Sequence, residues 1–275
     1  VTIFSDTHQY IKEISTLGAS EIKMAFIGDI QGYKMTNYDG FKETLDYVDS
    51  HNVDLIYLAG DIVDTGDKWQ EWRYFEQTLV GRNDMFITCI GNHDVKGSPD
   101  IYDKTFTYPE NGLISNRSFY IDLPFARIGV WDTESYSTFE DQSEWLENVM
   151  DIDKFKVILM HRSVYPISYN ESHIRNLHQV FDKVGIDLVL SGHDHIYSRT
   201  MMKNGHRDDN GTVYIVGGSG SGSKFYNQVD TRSWSYIVYD DNQPVYTIID
   251  IKENIIDIKA YHKEVIIDEY QIKKK

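Results

Sequence analysis

In the first third of the chain, three short apolar runs each stop at a polar residue reached through glycine. Residues 22–28 lead to Asp29, residues 54–60 lead to Asp61, and residues 85–91 lead to Asn92. Apolar runs of this length, closed by turn residues, read as buried strands. The intervening stretches carry helical spacing. Phe41, Leu45 and Val48 recur four and three apart behind Asn37, a residue suited to cap a helix, and a second helix fits residues 68–80. Strands alternating with helices in this way predict an α/β sheet with crossover connections.

Residues 95–117 read as a long loop, rich in Gly, Pro, Asp and Asn. Strands are expected over 119–123 and 126–131, a helix over 141–150, a strand over 156–160, a helix over 174–184 and a strand over 187–191. Beyond about residue 212 only strands are expected, over 213–216, 234–239, 244–251, 255–261 and 265–272. Ile-Ile-Asp-Ile-Lys occurs at 248–252 and again at 255–259, which predicts a hairpin turning at Glu253-Asn254. The closing strands are expected to complete the sheets of a single domain over 21–275, after a linker or edge segment at 1–20.

Composition limits the function classes. The net charge of −16 repels nucleic-acid backbone, but bound cations would let an anionic small molecule approach. The one cysteine, Cys89, lies in an apolar run and reads as a small buried hydrophobe. No run reaches the ~20 apolar residues of a membrane span, and no signal peptide is visible. Because the chain starts at Val1, an upstream leader or domain is expected to have been removed.

The chemistry gathers at strand ends. Asp29, Asp61, Asn92, His161, His193 and His195 each follow an apolar strand, and in an open α/β sheet ligands collect at that edge. Imidazole, carboxylate and amide donors without a thiolate suit first-row metals such as Fe, Zn or Mn, and a bridging carboxylate can hold two ions about 3.5–4 Å apart.

In order, Gly-Asp-Ile-Gln (28–31), Gly-Asp-Ile-Val-Asp (60–64), Gly-Asn-His-Asp (91–94), Met-His (160–161) and Gly-His-Asp-His (192–195) resemble the five-part signature of calcineurin-like metallophosphoesterases. Residues 192–199 and 265–273 resemble the purple-acid-phosphatase-like branch. The resemblance implies a four-layer αββα sandwich, two mixed β-sheets flanked by helices. It also implies two divalent or trivalent transition-metal ions, Fe, Zn or Mn. Asp61 would bridge them, Asp29 and His195 would hold the first, and Asn92, His161 and His193 would hold the second. His93 would stabilise phosphate charge or protonate the leaving oxygen, and a metal-bound hydroxide would attack phosphorus.

The chain departs from that pattern twice. Gln31 stands where many relatives have a metal-binding His; its amide oxygen could bind metal, or it could hydrogen-bond a metal-bound water. Asp64 stands where purple acid phosphatases have the Tyr that gives their colour, and is either a ligand or a solvated turn residue, so a colourless protein is expected. Asp6 and His8 also fit the first motif, but Asp6 lies much further from Asp61 than Asp29 does. Arg162, Tyr165, Tyr197 and Arg199 flank the ligands and could bind substrate or orient the histidines. Asp94 and Asp194 are expected to orient neighbours or carbonyls, residues 217–222 to turn between strands or offer amides to phosphate, and residues 273–275 to form a solvated tail. The expected activity is phosphomonoester hydrolysis, with specificity in the loops at 32–37, 64–70, 95–117 and 163–173. A phosphodiesterase acting on nucleotides or phospholipid headgroups, and a metal-stabilised binding module without turnover, are the alternatives. The resemblance favours an extracytoplasmic or secreted protein.

Overall fold

The computed structural model describes residues 2–5, 8–11, 20–32, 38–169, 171–228 and 232–274, the first two stretches as backbone only. Asn37 and Asp6 lie outside the described residues, and so does the side chain of His8.

Two mixed sheets face each other. In the six-stranded sheet the spatial order is Val265–Lys273, Ile255–His262, Tyr246–Ile251, Ile22–Ile27, Leu55–Leu58, Phe86–Thr88. The last three strands run parallel, and the C-terminal three join them antiparallel through Tyr246–Ile251 on Ile22–Ile27. The hairpin between the two Ile-Ile-Asp-Ile-Lys copies forms as expected, with Ile251 opposite Ile256.

The eight-stranded sheet runs His206–Arg207, Tyr197–Lys203, Thr212–Gly217, Leu188–Ser191, Phe155–Met160, Ala126–Trp131, Phe119–Asp122, with Ile237–Tyr239 also paired to Tyr197–Lys203. A small third sheet pairs Thr2–Ser5 with His8–Ile11 and with Phe106–Thr107.

Burial explains the layering. The four-residue strand Leu55–Leu58 is buried throughout, as a parallel strand covered on both faces must be. Between the sheets Phe26 stacks on Tyr57 with centroids 5.3 Å apart, and the Tyr57 hydroxyl donates across to the Met160 carbonyl at 3.0 Å. Cys89 is buried beside that hydroxyl, its Sγ 3.0 Å away. Phe41, Leu45 and Val48 from helix Asp39–Asp49, and Trp72 and Phe75 from Trp69–Thr78, join the same core. On the outer face of the eight-stranded sheet, Leu146 of helix Phe139–Val149 and Phe181 of His178–Val184 pack around Trp131 and Ile158.

Several elements differ from the sequence expectation. The 95–117 segment contains a helix, Asp100–Thr105, started by Pro99 and two early aspartates and tied down by buried Tyr102 and Phe106. The helix expected over 174–184 is two, Ser172–Arg175 and His178–Val184, separated by a tight turn in which Leu177 N–H bonds the Ile174 carbonyl. Tyr197–Lys203 is a strand despite its polar Ser, Arg and Thr. Residues 217–222 pack on the first motif, Gly220 N–H donating to the Asp29 carbonyl at 2.9 Å. Lys274, expected in a solvated tail, has its Nζ 2.9 Å from Asp153 Oδ1.

Candidate metal centre

The six-stranded sheet brings Asp29, Asp61 and Asn92 to its strand ends, and the eight-stranded sheet brings His161, His193 and His195 to face them. Two sets of ligand atoms result: Asp61, His161 and His193, and Asp29, Asp61 and His195. Within each set the atoms lie within 4.8 Å of one another, and Asp61 belongs to both. Asn92 extends the first set, its Oδ1 3.1 Å from His161 Nε2.

Such close approach needs glycine at two places. A Cβ on Gly91 would sit 2.3 Å from Asp61 N, and one on Gly192 would sit 2.7 Å from Asp29 Oδ2. The backbone is also bent at the ligands: Asp61 has φ 47° and His193 φ 68°, a left-handed conformation that costs non-glycine residues about 1–3 kcal/mol each. Buried Asp94 holds the Asp61 turn by accepting from Ile62, Val63 and Gly91 N–H groups. Asp194 does the same for the 163–173 loop, accepting from Ile167 and Ser168. Both aspartates therefore take backbone N–H groups rather than carbonyls.

The tautomers follow from their partners. His161 Nδ1 lies 2.7 Å from the Ala59 carbonyl and His195 Nδ1 lies 3.1 Å from the Lys224 carbonyl. A carbonyl can only accept, so each Nδ1 carries a proton and each Nε2 is the nitrogen turned to the cluster. His161 Nε2 then lies 3.1 Å from His193 Nδ1 and 3.3 Å from Asp61 Oδ1, while His195 Nε2 lies 3.5 Å from Asp29 Oδ1. Asp29 Oδ1 is buried without a hydrogen-bond partner among the described residues. Electron-rich atoms crowded around a point with so few donors fit a cation, and the mixed oxygen and imidazole set fits a first-row metal.

The electrostatics carry the same sign. Burial pushes Asp29 up to about 8. Burial opposes the charge on His161, but Asp61 and Asp29 more than offset it and hold the imidazole at about 10. Burial would also raise Asp61, yet His161, His93 and His193 hold it well below the usual carboxylate range. Burial, helped by the positive charge of Lys224, lowers His195 to about 4. Protons occupy the place of cations here, and metal binding would release them.

The remaining sequence candidates divide. Gln31 is buried against Asp61, its Nε2 donating to Oδ2 at 3.2 Å and its Oε1 without a partner among the described residues. Asp64 belongs to neither set; its carboxylate points to His93, Oδ1 lying 3.4 Å from Nδ1. The His93 N–H donates to Asp61 Oδ1 at 2.8 Å, and Nδ1 donates to the Asp64 carbonyl at 2.7 Å, leaving Nε2 unengaged by either. Arg162 stands beside His193, Nη1 to Nε2 3.3 Å, but its guanidinium is held by Glu134 at 2.8 Å and by Glu171. Tyr165 is buried against Tyr214 and Trp234.

A substrate contact by Tyr197 or Arg199 needs correction. Both side chains are buried between the sheets and bind Asp268 of the opposite sheet: Tyr197 Oη at 2.8 Å, Arg199 Nε at 2.6 Å and Nη2 at 2.8 Å. Sequence reasoning missed Asp268, Glu134 and Glu171. Glu134 follows the strand Ala126–Trp131 and obeys the same strand-end rule as the ligands, so that signal was present.

Known proteins provide a comparison. Purple acid phosphatase 22 of Arabidopsis thaliana is 25% identical over 225 residues, covering 72% of this chain and 50% of that protein. The chain thus spans about half the length of the curated relatives it matches. Among solved structures, purple acid phosphatase PPD1 from yellow lupin (Lupinus luteus) seeds aligns at TM-score 0.73 and 16% identity, over 93% of this chain and 54% of that one. GAP50, the anchor in the inner membrane complex of Plasmodium, aligns at TM-score 0.70 and 17% identity, over 94% and 90%. These likenesses show the metallophosphoesterase fold. Among the described residues no helix is long and apolar enough to cross a membrane. The calcineurin-like phosphoesterase family model matches residues 1–197, and with this fold and this cluster the chain belongs to that family.

Proposed function

We propose that residues 21–275 form one domain that hydrolyses phosphate monoesters at a pair of metal ions. The observation that carries this reading is the sharing of Asp61 by two ligand sets, one completed by Asp29 and His195, the other by His161, His193 and Asn92. Bound metal ions supply Lewis-acid polarisation of phosphoryl oxygens and acidify water near neutral pH. The chain's own residues do the rest. Asp61 would be shared by both ions, and the Gln31 amide donates to its Oδ2. Arg162, clamped by Glu134 and Glu171, closes the cluster beside the His193 ring, and Glu171 stands 4.0 Å from His193 Nε2 as the acceptor on that side. His93 keeps its Nδ1 proton on the Asp64 carbonyl and so presents Nε2 to the leaving oxygen. As a water oxygen bonds to phosphorus and the P–O bond to the leaving group breaks, a proton held at Nε2 passes to the departing oxygen.

One observation favours a second reading, a metal-stabilised binding module. With Asp64 turned to His93, the Asp29, Asp61 and His195 set has fewer ligands than the set that Asn92 extends. Elemental analysis, with turnover of p-nitrophenyl phosphate and bis-p-nitrophenyl phosphate on the same metal-loaded sample, separates the readings. Near two metals per chain with monoester cleavage dominant is the expected result. Diester preference points to a phosphodiesterase. One metal or none with no turnover points to the binding module.

A further inference from the structure

The sequence leaves Lys224 unremarked, yet it lies against a ligand histidine. Its carbonyl accepts the His195 Nδ1 proton, which fixes the Lys224 backbone at the cluster. Its Nζ lies 4.8 Å from the centroid of the Tyr226 ring, and that ring lies 4.8 Å from the His195 ring. Two contacts of this size keep the ammonium within roughly a Debye length, ~8–10 Å, of the cluster. The same loop is fastened to the first motif by Gly220 N–H on the Asp29 carbonyl.

Arg162 and Lys224 carry their charge differently. The Arg162 guanidinium is neutralised by Glu134 and Glu171. Lys224 has no carboxylate partner among the described residues, and its contact is with the face of an aromatic ring. Such a contact orients an ammonium without consuming its N–H donors, and all three remain able to bond an anion. A phosphate monoester near neutral pH carries up to two negative charges and a diester one. A cation beside the metals therefore rewards the monoester more.

We propose that Lys224 is a specificity-determining residue that binds a phosphoryl oxygen and selects dianionic phosphate monoesters over diesters. The proposal rests on the phosphatase reading above. It assigns Tyr226 a positioning role, as the surface along which the lysine side chain lies.

The test uses the metal-loaded chain with Lys224→Met, which keeps the length and removes the charge, and Lys224→Arg, which restores it. Turnover of p-nitrophenyl phosphate and bis-p-nitrophenyl phosphate is measured with metal content and with the affinity for inorganic phosphate by calorimetry. Loss of one charge-assisted hydrogen bond corresponds to about 10- to 100-fold. In Lys224→Met the monoester KM and the phosphate dissociation constant should rise by that factor, at least tenfold more than any change on the diester, with metal content unchanged. Lys224→Arg should recover most of the loss. Equal losses on both esters, or no loss, overturn the proposal. Loss of metal in Lys224→Met also overturns it, by making Lys224 a prop for His195. If the wild type cleaves neither ester, the phosphatase reading falls. Phosphate binding still decides whether Lys224 holds the anion: weakened binding in Lys224→Met sustains that part, and unchanged binding removes it.

Discussion

Replacing Asp268 by Ala should damage stability far more than activity. Its carboxylate and the Arg199 guanidinium are each about 5% exposed, and it takes bonds from Arg199 Nε, Arg199 Nη2 and Tyr197 Oη. Removing it strands a charge and a hydroxyl between two sheets. An uncompensated buried ion-pair partner costs about 3–5 kcal/mol. The stack of Arg199 on Tyr270, 4.3 Å from the ring centroid, persists and softens the loss only slightly. For a chain of this size each kcal/mol shifts the melting midpoint by roughly 2 °C, so a fall of about 6–10 °C is expected. Urea and thermal unfolding followed by circular dichroism measure it. Metal content and turnover below the melting transition should stay close to wild type. The paired variant Asp268→Leu with Arg199→Met should regain much of the loss, because no charge then remains buried. A cost below about 1 kcal/mol would refute the reasoning, and so would a stable Asp268→Ala protein that had lost its metals.

Asp61→Asn should lose both metals and nearly all turnover, since one carboxylate serves both ligand sets; elemental analysis showing two retained metals would contradict the sharing. His93→Ala should keep its metals and lose about 10²–10⁴-fold in turnover, and a fully active variant would remove His93 from proton transfer. His51 predicts a pH effect away from the metals. Burial, with the nearby charge of Lys23, lowers it below its ordinary value of 6.5. The unfolded chain then takes up a proton before the folded one does. The stability due to neutral His51 is complete above about 6.5 and is lost as pH falls from there toward the lowered folded value. The urea midpoint of wild type should therefore fall relative to His51→Phe over that interval, and parallel curves would disprove it.

The residues that gather at the candidate site were legible because strand ends announce themselves: an apolar run, a glycine, then a polar residue, as at Asp29, Asp61 and Asn92. Burial within parallel strands forces that pattern, and the candidate site inherits it. Tyr197–Lys203 was not legible, because its polar residues are satisfied from far away. Arg199 meets Asp268 across 69 residues of chain, and no local pattern can report such a pairing. The turn dividing residues 172–184 was hidden for a different reason: its breaks come from tight local bonding at Leu177 rather than from Gly or Pro. Asp64 was ambiguous because its type allows ligation, and only the position of His93 beside it decides where its carboxylate points.

The oxygen donors Asp29, Asp61 and Asn92 belong to one sheet and the nitrogen donors His161, His193 and His195 to the other. The gap between the sheets therefore works as a caliper on whatever ion is held. Side chains that set that gap, such as Phe26 and Tyr57 with its hydroxyl on the Met160 carbonyl, tune which ionic radius fits without touching the ion. With the ions proposed above in place, metal preference would be a property of the core as much as of the candidate ligands, and drift among interior apolar residues could retune it while each of those side chains stays in place.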